Sequence, residues 1–379
     1  MKVLIAIDSF KGSLTSREAG MAVSDGIKRV YPEAESEILT VADGGEGTVD
    51  ALMSALESET VTAEVSDPLG RRIKAQYGIT AEGTALMEMS AAAGITLLNK
   101  DELNPMETTT YGVGEMIGDA LSRGCRRFVI GIGGSATNDG GAGMLQALGF
   151  SLLDKEGKDI PFGAEGLACL DSINDKKVMA ELSECSFRIA CDVTNPLCGE
   201  KGCSAVFGPQ KGATADTVKV MDGYLSSFAE KTKNLRPLSD KDFPGSGAAG
   251  GLGFAFRAFL GAELLSGIDL ILKEIHIEDK IKNADIVITG EGRIDSQTVM
   301  GKAPGGVAEK AKKHGRPVIA FSGAVTKDAV YCNEKGIDAF FPIVRGVTTL
   351  EKAMERDTAY GNMADTAEQV FRLIKTVKE

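Results

Sequence analysis

The chain opens with an unbroken apolar run, Val3-Leu4-Ile5-Ala6-Ile7, that stops at Asp8 and Ser9. A run without alternation marks a parallel strand covered on both faces, with polar groups at its carboxyl end. Thr15 to Glu18 then has the pattern of a capping box, and Ala19, Ala22, Val23, Ile27 and Val30 recur at helical spacing. A helix is therefore expected up to about Tyr31 and Pro32. Residues 38–42 predict a second strand that ends in Asp43-Gly44-Gly45-Glu46-Gly47, followed by a short helix over 48–56. From about Val61 the period changes. Residues 61–66 and 72–77 alternate, and Asp67-Pro68-Leu69-Gly70 between them places Pro and Gly as a type I turn does, so an antiparallel hairpin is expected.

Further along, the pattern predicts strands at 127–132 and 187–190 and helices at 144–148, 172–184 and 216–233. The strand-helix rhythm of the opening returns near Ala284: apolar runs at 286–288, 318–321 and 339–341 end in Thr289-Gly290-Glu291, Ser322-Gly323 and Pro342. Met363, Thr366, Ala367, Val370, Phe371, Ile374 and Val377 share one face of a closing helix. The resulting fold class is α/β with two domains. Residues 1–62 and 284–379 make a discontinuous, mostly parallel three-layer domain, and 63–283 make a second, mixed α/β domain inserted into it.

Composition excludes several classes. With 379 residues, 43% apolar and 25% charged, the chain is an ordinary globular protein of two or three domains' length. The net charge of −12 argues against nucleic acid as a partner, whose footprint is normally basic. No apolar stretch approaches a membrane span, and Val3 to Ile7 is too short for the core of a signal peptide, so neither an anchor nor a leader is expected. The seven cysteines, odd in number, read as reduced thiols, so a cytoplasmic location is expected. Only two histidines, His276 and His314, are present, which removes a histidine triad and a His-based zinc cluster. Glycine is the excess residue, 46 in all, and suggests glycine-rich binding loops.

Gly301-Lys302 is not a Walker loop, because Ser296 stands where its first glycine would be and Ala303 where its hydroxyl would be. Two segments imitate dinucleotide fingerprints: Gly131 to Ala136 after a strand, and Gly245 to Gly250 without one. The first continues into Thr137-Asn138-Asp139-Gly140-Gly141, more polar than a sheet-packed helix start, so we read it as a phosphate cradle of backbone N–H groups with Ser135 and Thr137, a plain structural turn being the alternative. Asp8 with Lys11, Asp43 with Glu46, Asp192 with Asn195, and Glu291 with Arg293 and Asp295 each follow an expected strand, where open α/β sheets bind ligands. Carboxylates with Lys and Arg, and no histidine, suit phosphoryl transfer. A structural N-cap is the plain alternative for each aspartate. A nicotinamide-dependent hydroxy-acid oxidoreductase using the Gly131 loop, or a non-catalytic sensor, are the rival functions.

Seven segments, DSFKG from Asp8, ADGGEGT from Ala42, GIGGSATNDGG from Gly131, CDVTNPLCG from Cys191, FGPQKG from Phe207, AAGGLGF from Ala248 and TGEGRID from Thr289, occur in an order that resembles the type 1 glycerate kinase family. The resemblance implies two α/β domains with the active site between them. It also implies ATP- and Mg²⁺-dependent phosphorylation of D-glycerate, mostly at the 2-hydroxyl to give 2-phosphoglycerate, with 3-phosphoglycerate as the alternative product. On that reading Asp192, Lys11 and Arg293 are the expected catalytic residues. Asp8, Ser9, Lys11, Asn195, Glu291 and Arg293 are expected to bind substrate. Gly133, Gly134, Ser135, Thr137, Asn138 and Asp139 are expected to hold the nucleotide, and Asp43 and Asp295 the metal. The oligomeric state stays open between monomer and homodimer.

Overall fold

Why the first apolar run is continuous becomes plain from its neighbours: it is the inner strand of a parallel sheet with strands on both sides. The computed structural model describes residues 1–41, 49, 52, 53, 56, 58–233 and 235–378. The acidic turn at 43–47, with the expected metal ligand Asp43, and most of the helix expected over 48–56 lie outside the described residues. In chain order the strands are β1 (Lys2–Ile7), β2 (Glu35–Thr40), β3 (Glu59–Ser66), β4 (Arg72–Ile79), β5 (Thr84–Glu88), β6 (Arg127–Gly131), β7 (Ser151–Leu153), β8 (Ser172–Asn174), β9 (Ser186–Ala190), β10 (Glu263–Leu265), β11 (Ile286–Ile294), β12 (Val318–Val325) and β13 (Ala339–Pro342). The chain divides into two compact units, Met1–Gly44 with Ile268–Glu379, and Gly45–Gly267. The sequence reading had set the turnover points at 62 and 284; the hairpin β3–β4 belongs wholly to the second unit, and the residues from Ile268 to the start of β11 to the first.

In the first unit the sheet order is β13-β12-β11-β1-β2, all parallel. Helix Ser16–Lys28 starts as expected: Thr15 accepts from the Glu18 N–H, and Glu18 reaches back to the Thr15 N–H. Its buried face, Ala19, Ala22, Val23 and Ile27, packs with Met363, Ala367, Val370 and Phe371 of helix Arg356–Lys378 over the apolar residues of β1 and β11. Two strands outrun the expectation. β11 continues through Glu291 and Arg293 to Ile294 because β12 continues beside it, Glu291 pairing with Ser322 and Arg293 with Ala324. Glu291 and Arg293 therefore stand on one face of a strand rather than in a turn after it.

The second unit holds a six-stranded mixed sheet, β10-β9-β6-β5-β4-β3, in which β5, β6, β9 and β10 are parallel and the hairpin is antiparallel. Phe128 and Phe187 face each other across β6 and β9, their rings stacked 4.7 Å apart in the core. The helix expected over 172–184 is not formed. Its first residues pair as β8 with β7, and only Ala180–Glu184 makes a 3-10 turn. Ser, Asn and Asp in this stretch favour local side-chain bonding over helix, as when Asn174 Oδ1 accepts from the Lys176 N–H. Conversely, helix Tyr111–Ser122 went unanticipated, though Val113, Met116, Ile117, Ala120 and Leu121 carry its apolar face.

Candidate functional site

The first unit carries a pocket of about 390 Å³ at the carboxyl ends of β1 and β11. Asp8, Ser9, Lys11, Glu291, Arg293 and Asp295 all line it, six of the residues that the sequence had spread over two motifs nearly 300 positions apart. The parallel pairing of β1 with β11 is what joins them, since Ile7 is level with Gly290 and the Asp8 N–H donates to the Gly290 carbonyl at 2.9 Å. Lys11 stands on a tight turn in which the Phe10 N–H donates to the Leu14 carbonyl and the Leu14 N–H to the Phe10 carbonyl. Lys11 meets no acceptor among the described residues, and the Arg293 side chain is 66% exposed, with Nε 3.7 Å from Asp295 Oδ2. Two exposed cations thus line the pocket. Asp295 Oδ1 accepts from the Gln297 N–H at 2.9 Å, so this carboxylate caps the 3-10 turn Ser296–Val299 and keeps its other oxygen toward Arg293. Lys302, which the sequence reading passed over once the Walker motif failed, joins the pocket and pairs with buried Glu291 at 3.3 Å.

In the second unit, β5, β6 and β9 end side by side, with Glu88 level with Gly131 and Gly131 level with Ala190. The Gly131 loop and Asp192 leave the same sheet edge. Asp192 is exposed and its Oδ1 accepts from the Gly267 N–H at 2.7 Å. Asn195 braces its own loop, donating to the Lys201 carbonyl at 2.8 Å. The cradle residues divide into two groups. Gly133 is exposed, Gly134 has φ +69°, and among the described residues no acceptor meets the N–H groups of Gly133, Gly134 or Ser135, which leaves three successive backbone donors open. Thr137, Asn138 and Asp139 are instead fully buried. Asn138 donates to Ser204 Oγ at 2.9 Å, and Asp139 accepts from the Thr110 N–H and hydroxyl and from the N–H groups of Gly141 and Gly143. Burial pushes the Asp139 pKa up, against those four donors, which favour its charged form. The Asn138 amide nitrogen and the Asp139 carboxylate thus brace the loop from inside, while the buried Thr137 Oγ1 and Asn138 Oδ1 meet no partner among the described residues.

Two residues here escaped the sequence reading. Glu88 ends β5 and lies so close to Gly131 that a Cβ there would meet its carboxylate at 2.3 Å. Lys211 is 1% exposed, and its ammonium donates to Ser135 Oγ at 2.7 Å and to the Thr137 carbonyl at 2.6 Å. The second lay inside the FGPQKG segment, whose only signal was a lysine between glycines. Cysteine chemistry has no footing. All seven thiols are free of disulfides, and burial raises Cys191 and Cys203 to about 11, keeping both protonated at neutral pH. Among the described residues no group of three His, Cys, Asp or Glu is placed to hold a metal ion. No helix among them is long and apolar enough to cross a membrane.

A parallel sheet with a cation-lined pocket at its carboxyl edge, and a second sheet carrying an open glycine loop at its own, define an α/β protein built to handle small anionic molecules. Comparison narrows the class. The model of the glycerate kinase family matches residues 3–375. The chain is 48% identical over 379 residues to a glycerate kinase of Bacillus subtilis (strain 168), covering 100% of this chain and 99% of the relative. It is 45% identical over 371 residues to the glycerate 2-kinase of Escherichia coli (strain K12), covering 98% and 97%. A crystal structure from Salmonella typhimurium LT2, assigned as glycerate kinase 2, superposes with a TM-score of 0.85 at 44% identity, covering 100% of this chain and 99% of that one. The chain belongs to the glycerate kinase family.

Proposed function

We propose that this chain is a cytoplasmic enzyme that transfers the γ-phosphoryl group of ATP to D-glycerate, at the 2-hydroxyl, giving 2-phosphoglycerate and ADP. The observation that carries the reading is the convergence of Lys11, Arg293, Ser9, Asp8 and Glu291 on one pocket in a member of this family. The open guanidinium of Arg293 can grip a carboxylate with two parallel N–H bonds, and Lys11 adds a point charge. Ser9, Asp8 and Glu291 offer partners for the substrate's hydroxyls. Asp192 accepts the proton of the attacking 2-hydroxyl. The open N–H groups of Gly133, Gly134 and Ser135 bind phosphate oxygens and hold the charge that builds on them during transfer.

Mg²⁺ fits the donor set without a dedicated protein cage, because it binds through one or two carboxylates together with substrate phosphates. Asp295, an oxygen donor at the pocket with Oδ2 turned away from its capping bond, and Asp43 are the residues we assign to it. When bound, the ion offsets phosphate charge. The test is incubation with ATP, Mg²⁺ and D-glycerate, read through enolase with and without phosphoglycerate mutase. Signal without mutase supports the proposal. Signal only with mutase moves the transfer to the 3-hydroxyl, and absence of ADP removes the kinase reading for this chain.

A further inference from the structure

We propose that Lys211 is a positioning residue for phosphate binding: from beneath the Gly131 loop its ammonium fixes the Ser135 hydroxyl as an outward donor and supplies the charge that a bound polyphosphate neutralises. This rests on the loop holding the nucleotide's phosphates. Lys211 enters the interior from the turn Pro209–Lys211, which ends at Gly212 with φ +97°, a conformation that suits glycine. Ser135 Oγ accepts from Lys211, so its single hydrogen must point elsewhere; Ser135 is 8% exposed and stands next to the open N–H groups of Gly133 and Gly134.

The ammonium itself is short of countercharge. No carboxylate among the described residues lies within ion-pair distance of it, and both its acceptors are neutral. The titratable groups facing it are Asp139, whose oxygens are already taken by Thr110, Gly141 and Gly143, and Cys203, a protonated thiol. Burial accordingly lowers Lys211 to about 8. A buried cation with neutral partners becomes stable when an anion docks above it. Nucleotide binding and Lys211 protonation are then linked, each favouring the other.

The experiment is calorimetric titration of the whole protein with ADP between pH 7 and 9.5, where ADP's own last proton is already lost. We expect the native Kd to rise about tenfold between pH 7 and 9, with proton uptake on binding that passes its half-point near pH 8 and is larger at pH 9. Lys211→Met should bind ADP at least about tenfold more weakly at pH 7 and show a flat profile. Ser135→Ala, which removes one hydroxyl, should weaken binding several-fold but keep the pH slope. A native profile without slope or proton uptake overturns the proposal, and needs no variant to fold. Gly133→Asp, which sets a negative charge in the loop, separates the two ideas. If it leaves ADP binding intact the loop reading falls; if it abolishes binding while the native profile is flat, only the role of Lys211 falls.

Discussion

Asp139→Asn tests whether the buried half of the glycine loop is architecture or nucleotide site. Asp139 Oδ2 accepts from the Thr110 N–H at 2.9 Å, the Thr110 hydroxyl at 2.8 Å and the Gly143 N–H at 3.2 Å, and Oδ1 from the Gly141 N–H at 3.0 Å. Asparagine has one acceptor oxygen. With that oxygen on the Thr110 side, its NH₂ faces the Gly141 N–H, so one bond is lost and a buried donor is stranded at a cost of about 1–3 kcal/mol. The three remaining bonds lose their charge assistance, roughly 0.5–1 kcal/mol each. Burying a neutral amide rather than a carboxylate, whose pKa burial already raises, returns part of this. The net loss is about 2–4 kcal/mol, or roughly 4–16 °C in Tm for a unit of this size. The assay is thermal unfolding at pH 7.5 alongside the KM for ATP at 20 °C. We expect the fall in Tm with KM within about twofold of native, because the carboxylate faces inward. An unchanged Tm together with a tenfold higher KM would refute the structural assignment.

Arg293→Ala should raise the KM for glycerate at least about tenfold and leave Tm nearly unchanged, since its ion pair with Asp295 is long and its side chain exposed; an unaltered KM removes it from the site. Gly112→Ala sets a Cβ 1.9 Å from the Ser66 carbonyl oxygen, so it should destabilise by about 3 kcal/mol or more in denaturant unfolding, and a small effect would mean the helix can shift away from β3. Thr15→Ala removes one bond of the capping box at helix Ser16–Lys28 and should cost about 1 kcal/mol. Lys211, lowered from 10.5 to about 8 by burial, weakens the fold in full below pH 8 and progressively less from there up to pH 10.5, because the unfolded chain binds the proton more tightly. Stability of the native protein relative to Lys211→Met should therefore rise by about 2 kcal/mol from pH 7 to 9.5; a constant difference would mean Lys211 is not desolvated.

The parallel sheet of the first unit was legible because β1, β11 and β12 are inner strands, and burial on both faces writes itself as apolar runs such as Val3 to Ile7. The hairpin β3–β4 was legible from alternation and from a turn whose Gly70 N–H donates to the Asp67 carbonyl at 3.0 Å. Helix Tyr111–Ser122 was masked by Gly112, Gly114 and Gly118, poor helix formers, and at the first two backbone passes close by: a Cβ on Gly112 would meet the Ser66 carbonyl oxygen at 1.9 Å and one on Gly114 the Met144 carbonyl oxygen at 2.5 Å. Propensity registers the cost of those glycines and is blind to the packing that requires them. The pocket was legible as a set of residues but not as a place, since it depends on the register between β1 and β11.

The Gly131 loop shows where such reading stops. GIGGSATNDGG reads as one segment, yet burial divides it: Gly133 is exposed and Gly134 half-buried, whereas Thr137, Asn138 and Asp139, whose N–H groups also meet no acceptor among the described residues, are fully enclosed. The Gly140 N–H donates to the Gly250 carbonyl at 2.9 Å, and a Cβ on Gly250 would meet the Thr137 carbonyl oxygen at 2.0 Å, so the AAGGLGF segment is the bed on which this loop lies. That bed is itself strained: Ala249 adopts φ +52°, a left-handed conformation that costs an alanine about 1–2 kcal/mol. Close backbone packing and phosphate binding call for the same small and polar residues, and a linear sequence does not distinguish them. Burial does. Lys211, the residue that a pattern search would least select, is enclosed beneath the loop with its ammonium on Ser135 Oγ, a placement that only burial and hydrogen bonding reveal.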